Sequence, residues 1–442
     1  MCRCHFPAQP RLMRVATGVA VAVAALALHG PANAEANLNV EVISGYTNNL
    51  QRQPQGEDEI PVSIGLTGTW VETTRRLSAN VEGRVDGIKY LSDTFDDEVV
   101  GQFDGSVTLW PVPDRFAWVV ENVYGQVATD PFAPISPENR QNTNFFSTGP
   151  DWYIPIGERM RAYLGGRYES VRYEVVDTDS QRLSAIAGID RAVSSSSRLG
   201  VRGNSESVDY SSALQSDFDR HEAYVRYEFS REQRQGERQS GATVNAGYTW
   251  LVVGDNDSSL PFLEVSLTRA LSSSVSVGLE LASRFSDAGL EFAAGGVWSG
   301  QGSGADPGVI PEASVFEERS GRGTIDFDRE RTTLSVAVGL ADEQYESATL
   351  DRRRYDAGIT IERRMTRRLT GSAGVLWSQY DYETDGLDRE DTDNEYRLEL
   401  RRGLGQRLSI AVIGMHASRS SDDPLTEFDE TRGYVVFDYS LR

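Results

Sequence analysis

Cysteine is nearly absent from this chain of 442 residues: the only two are Cys2 and Cys4. Histidine is almost as scarce, and beyond the first 34 residues only His221 and His416 occur. Lys89 is the single lysine among 44 basic residues. After the N-terminal segment no apolar run approaches the roughly 18–20 residues that a transmembrane helix needs. Each scarcity excludes something. Without cysteine past residue 4 there is no disulfide framework, no thiol nucleophile and no thiolate metal site in the body. Two histidines cannot build a three-histidine zinc centre, and neither HExxH nor GxSxG occurs. We expect no cofactor, no metal and no enzyme. The formal charge of −22 argues against nucleic acid, which demands a basic face to displace counterions.

What is present points to strands. Glycine occurs 41 times, with 18 Tyr, 16 Phe and 7 Trp. Residues 1–34 differ from the rest. Arg3, Arg11 and Arg14 precede and flank an apolar run from Val15 to Leu28, and Ala32-Asn33-Ala34 offers small residues for cleavage. This reads as a signal peptide over 1–34. Residues 35–442 read as one exported domain.

That domain alternates with period two. Val275, Val277, Leu279 and Leu281 alternate with Ser276, Gly278, Glu280 and Ala282. Ala223, Val225, Tyr227 and Phe229 alternate with Glu222, Tyr224, Arg226 and Glu228. Each strand thus has one apolar face and one charged or small face. Short Ser/Thr/Arg turns recur before Leu77, Phe116, Leu199, Val275, Thr332, Leu369 and Leu408, with a hairpin period near 39 residues. Acidic, turn-rich loops at 48–58, 92–97, 128–141, 174–179, 211–218, 253–259, 287–312, 346–350, 381–392 and 420–428 separate the hairpins. The count predicts about 20 strands, within 18–22. The fold class expected is all-β: a single closed antiparallel transmembrane barrel in the cell outer membrane. Tyr46, Trp70, Tyr90, Trp110, Tyr124, Trp250, Trp377 and Tyr380 are expected to form interfacial girdles.

Three segments carry a resemblance. SGYTNNL at 44–50, PENRQNTNFFSTGP at 137–150 and VFEERSGRGTIDFDRERTTLSV at 315–336 resemble a β-barrel porin family of outer-membrane proteins. Within it, they resemble members associated with exopolysaccharide and PEP-CTERM/exosortase loci. The resemblance implies an outer-membrane location and a role in polysaccharide export or assembly. The partners it and the location imply are outer-membrane lipid and lipopolysaccharide, the barrel-assembly machinery and polysaccharide-export components.

The charged faces nominate a lumen wall: Glu82, Arg84 and Asp86; Glu222, Arg226 and Glu228; Glu264, Glu280 and Arg284; Arg354, Asp356 and Glu362; Arg397, Glu399 and Arg401. Such rings can select solutes by charge and hydrogen bonding. The function expected is a porin-like channel, with a non-conducting scaffold barrel as the alternative. A hydrolase using Asp219 and His221, or His416 and Ser418, is the third reading. The longest loop, 287–312, carries Phe292 and Trp298 among many glycines. Apolar groups on so polar a loop call for burial, so it is expected to fold into the barrel as a constriction.

Overall fold

In the computed structural model, residues 35–213, 215–231, 240–294, 314–345, 351–384 and 387–441 are described. They form twenty strands: β1 (Glu35–Thr47), β2 (Pro61–Thr73), β3 (Leu77–Tyr90), β4 (Glu98–Val112), β5 (Phe116–Val127), β6 (Gln141–Ile156), β7 (Met160–Tyr173), β8 (Ser180–Ala192), β9 (Ser197–Tyr210), β10 (Phe218–Arg231), β11 (Ser240–Val253), β12 (Asn256–Ala270), β13 (Val275–Ser286), β14 (Phe316–Arg329), β15 (Thr332–Tyr345), β16 (Arg352–Arg364), β17 (Leu369–Thr384), β18 (Leu387–Gly403), β19 (Leu408–Ser421) and β20 (Phe428–Ser440). One short helix, α1 (Ala288–Ala293), follows β13. Every strand pairs antiparallel with its sequence neighbours, and β1 also pairs with β20, from Asn39↔Ser440 to Thr47↔Arg432. The sheet therefore closes and leaves no edge. Closure satisfies the backbone amides that lipid cannot.

The short turns are built by their hydroxyls. Thr74, Ser272 and Thr366 each accept, through the side-chain oxygen, the amide of the residue that opens the next strand: Leu77 at 3.0 Å, Val275 at 3.0 Å and Leu369 at 3.1 Å. This is why a Ser/Thr precedes those three strand openings by three residues. Elsewhere a residue with positive φ makes the reversal, as at Gly157 (φ 68°). Two predicted loops are shorter than expected. Positions 253–259 reduce to a turn at 254–255, and within 381–392 the hairpin β17–β18 is zipped to Thr384↔Leu387. The acidic residues there sit on tall strands that rise beyond the apolar band, which composition alone cannot tell from loop.

Alternation sorts the two faces. Ile325, Val338, Leu340, Ile359, Leu398 and Val412 point outward and are half or more exposed. Toward the loop end the outward positions turn polar, with Arg319 on β14, Arg353 on β16, Asn394 on β18 and His416 on β19. The outer surface is thus an apolar band beneath a polar collar. An even-stranded closed barrel with such a band is the architecture of the cell outer membrane. Of the expected girdle aromatics, Tyr46 and Trp250 are exposed on this face. Tyr90 and Tyr380 are instead buried on the inner face, sharing strand parity with Asp86 and Ser378. Strand-end position predicted an interface, but parity decides which side an aromatic meets.

Candidate functional site

The fifteen residues nominated for the lumen wall all have inward parity. Many are joined to each other or to inward neighbours. Arg84 bridges Glu41 (2.6 Å) and Asp86 (2.6 Å), and Glu399 holds both Arg397 and Arg401 at 2.9 Å. Arg284 meets Glu318 at 2.8 Å and Glu264 at 3.6 Å. Charges of both signs therefore neutralise one another within the wall. Along β11–β16 lies a cavity of about 550 Å³, lined by four arginines: Arg226 from the adjoining β10, and Arg284, Arg322 and Arg354. Four carboxylates, Glu264, Glu280, Glu318 and Asp356, line it as well.

Two connections fold inside. The first starts where β13 leaves its neighbour. β12 and β13 pair only from Ala270↔Ser276 to Leu263↔Ser283, while β13 stays with β14 up to Ser286↔Phe316. Phe285 shares parity with the outward Leu279 and Leu281. Yet it is buried against Val208, Phe218, Leu251 and Leu260, which have inward parity. The end of β13 thus leans into the barrel. The helix α1 then packs Phe292, fully buried, and Ala288 against Val123, Val127, Phe145, Val171 and Tyr173 of β5–β7. Those strands lie far around the ring from β13, so this segment crosses the lumen. Trp298, the other residue expected in the constriction, lies outside the described residues.

Charge fixes the crossing. Asp287 caps α1, accepting from the amides of Gly289 (2.9 Å) and Leu290 (3.2 Å). Its other oxygen takes a close hydrogen bond from Arg182 of β8. Arg182 also faces Glu206 at 3.4 Å and Glu169 at 3.6 Å. Arg220 of β10 reaches Glu206 at 3.2 Å and donates to the Phe285 carbonyl. Burial pushes the Asp287 carboxyl up, but Arg182 beside it wins and holds it below the usual carboxylate range. Glu291, on the same helix, goes the other way. Burial and neighbouring Glu318 raise it, despite Arg284 at 3.0 Å. The sequence reading missed Arg182, Arg220 and Asp287. Their only advance signal was inward parity on polar strands, plus an Asp preceding a short helical stretch.

The second inward connection is 128–140, a segment that the sequence marks only as an acidic, turn-rich loop. Asn139 organises it, accepting the Asp130 amide (2.7 Å) and donating to the carbonyls of Asp130 (2.9 Å) and Ala133 (3.0 Å). Its tip reaches the far wall. Arg389 of β18 donates to the Phe132 carbonyl at 2.7 Å, and the Phe132 ring lies 5.1 Å from Tyr382. Arg389 is itself locked to Asp391 at 2.7 Å. Beneath this loop a cavity of about 110 Å³ remains between Ile135–Pro137 and the inner faces of β1–β4 and β18–β20.

The histidines lie elsewhere. His221 is on the outer face, 3.0 Å from the Ser205 hydroxyl, and no ion pair joins it to Asp219. His416, also outward, contacts Thr431 at 3.2 Å and Asp429 at 3.6 Å, not Ser418. Neither arrangement assembles an acid–base–nucleophile relay on the described residues.

No protein-family profile matches the sequence, and no curated protein matches it. Among solved structures it is similar to Pseudomonas aeruginosa OpdK with vanillate, at 11% identity over 92% of this chain and 99% of that one, with a TM-score of 0.38. P. aeruginosa OccK2 (OpdF) in complex with glucuronate matches at 13% identity, 93% and 99% coverage, and a TM-score of 0.40. A BenF-like porin from Pseudomonas fluorescens Pf-5 matches at 11% identity, 92% and 99% coverage, and a TM-score of 0.41. At such values the assignment to closed antiparallel outer-membrane barrels rests on this chain's own strand pairing.

Proposed function

We propose that this protein is a passive outer-membrane channel for small hydrophilic solutes, with the α1 segment as its constriction. The observation that supports the reading most is the polar cavity of about 550 Å³ along β11–β16, lined by charges of both signs. A scaffold would have no need to keep such a wall wet and charged. The constriction narrows the opposite side, where Phe292 and Asp287 tie α1 to β5–β10. With four arginines facing four carboxylates in the open cavity, the pore is expected to discriminate weakly between cations and anions. Planar-bilayer recording on the refolded barrel tests this. Discrete conductance steps with a small reversal potential in a KCl gradient are expected, and the absence of any step overturns the channel. Association with polysaccharide export is the finer reading, supported by the resemblance of residues 44–50, 137–150 and 315–336. A deletion strain that exports normal amounts of polymer would remove it.

A further inference from the structure

The cavity beneath the 128–140 connection differs in kind from the wall across the lumen. Its lining is mostly apolar: Ile43, Ile88, Val100, Ile413, Met415 and Val436 contribute, with the Tyr90 and Tyr434 rings. Four of these, Ile43, Ile413, Met415 and Val436, belong to a packed apolar cluster with Ala411, on the inner face of β1, β19 and β20. Apolar side chains facing the inside of a water-filled barrel serve no lipid contact. Tyr434 is pressed over Gly45, where a Cβ would sit 2.1 Å from the ring, so the site is shaped by close packing and not left by chance. Ile135, Ser136 and Pro137 roof it. Its size is close to that of an apolar cavity of about 150 Å³ that admits benzene.

The charges around the cavity decide what kind of molecule suits it. Four arginines line it, and each is engaged by a carboxylate: Arg52 by Glu430 (3.0 Å), Arg432 by the same Glu430 (3.5 Å), Arg397 by Glu399 (2.9 Å) and Arg140 by Glu98. Asp86 is likewise held by Arg84. An anionic ligand would have to draw a guanidinium away from its carboxylate, which is costly where both are desolvated. A neutral ligand need not. A guanidinium has five N–H donors, and Arg52 gives Glu430 its Nε at 3.0 Å, so a carboxylate-held Arg52 can still donate to an uncharged oxygen.

We propose that this cavity is a binding site for an uncharged amphipathic molecule, with one ring-sized apolar part and one hydroxyl or carbonyl oxygen. The apolar part lies on Ile413, Met415 and Val436, and the oxygen meets the arginine rim. This rests on the channel reading for its role, as a solute-holding station inside the pore, but not for the binding itself. The site would concentrate weakly polar solutes that the charged wall of β11–β16 does not favour.

The test uses benzyl alcohol, cyclohexanol and benzoate as probes, with saturation-transfer NMR on the refolded full-length barrel in detergent. Wild type is expected to bind both alcohols at least tenfold more tightly than benzoate, with little dependence on salt. Ile413→Trp fills the cavity and is expected to weaken alcohol binding at least tenfold. Met415→Ala enlarges it and is expected to favour cyclohexanol over benzyl alcohol relative to wild type. Ser320→Trp, in the open wall, is the control and should leave binding unchanged. Heat-modifiable migration in gel electrophoresis confirms that each variant is a folded barrel. Tighter binding of benzoate overturns the uncharged class, and alcohol binding that survives Ile413→Trp overturns the site. If the barrel binds alcohols at this site but shows no conductance, the channel reading fails and the site stands.

Discussion

The two connections that enter the lumen reach opposite walls and are held by different means. The segment after β13 is anchored by its own side chains, with Phe292 sunk among β5–β7 and Asp287 clamped by Arg182. The 128–140 segment is anchored through its backbone: Arg389 grips the Phe132 carbonyl, and Asn139 ties the loop to itself. One is a plug of buried charge and ring; the other is a self-braced arch pinned at its crown. A side-chain anchor concentrates its strength in one or two residues and can be released by one substitution. A backbone anchor spreads it, and leaves a cavity beneath.

The largest effect expected from breaking this contrast is at Asp287. Asp287→Asn leaves Arg182 and Arg220 buried with less carboxylate than they need. Removing one partner of a buried pair costs about 3–5 kcal/mol, enough to undock α1. Single-channel conductance should rise and become noisier, with the barrel still heat-modifiable on gels. An unchanged conductance from a folded barrel would mean that α1 is not the constriction. Phe292→Ala attacks the same anchor from its apolar side. The cost of a buried Phe→Ala change is about 3 kcal/mol at the low end, with shortened closed dwell times expected in the same recordings.

The inward course of the β13–β14 connection was partly legible in the sequence because its anchor is made of side chains. Phe292 stood out as an aromatic in a glycine-rich stretch, and burial was the simple account of it. The twenty strands were legible for a similar reason: alternation is written into residues such as Val275–Leu281, and Ser/Thr turns mark the openings at Leu77, Val275 and Leu369. The 128–140 arch left no such mark. Asn139, Asp130 and Pro134 look like any polar loop, and the contact that matters joins Arg389 to a carbonyl 257 positions away. Arg182 and Arg220 were hidden because an inward arginine on a barrel strand looks the same whether it faces water or clamps a helix.

A third variant sharpens the comparison. Phe132→Ala removes the ring contact with Tyr382 and the stacking of Arg389 over it, at 5.9 Å. It keeps the carbonyl that Arg389 holds. Each aromatic or cation–π contact is worth about 1 kcal/mol, so the arch should stay in place. Conductance is expected to change by less than a third. The double variant with Phe292→Ala should give the sum of the two effects, because the anchors share no residue. Strong non-additivity would show the two connections to be one cooperative plug.

The smallest effect expected is the response to pH, and here the two acids of the first anchor oppose each other. Glu291 is raised by burial and by Glu318, so docked α1 binds a proton more readily than undocked α1 does. Docking therefore strengthens as pH falls from neutral through the raised Glu291 range. Asp287 is lowered by Arg182, burial notwithstanding. Its contribution to docking is complete above the ordinary carboxylate range, near pH 4, and is lost only as pH drops through its lowered value. The channel should thus become quieter as pH falls from neutral toward the ordinary glutamate range, and then noisier and larger as pH falls below the ordinary aspartate range. Glu291→Gln should abolish the quiet phase and keep the acid opening, whereas Asp287→Asn should be open throughout. A conductance that rises steadily from pH 7 downward in the wild type would show that Asp287 alone governs the anchor and that Glu291 has no part in it.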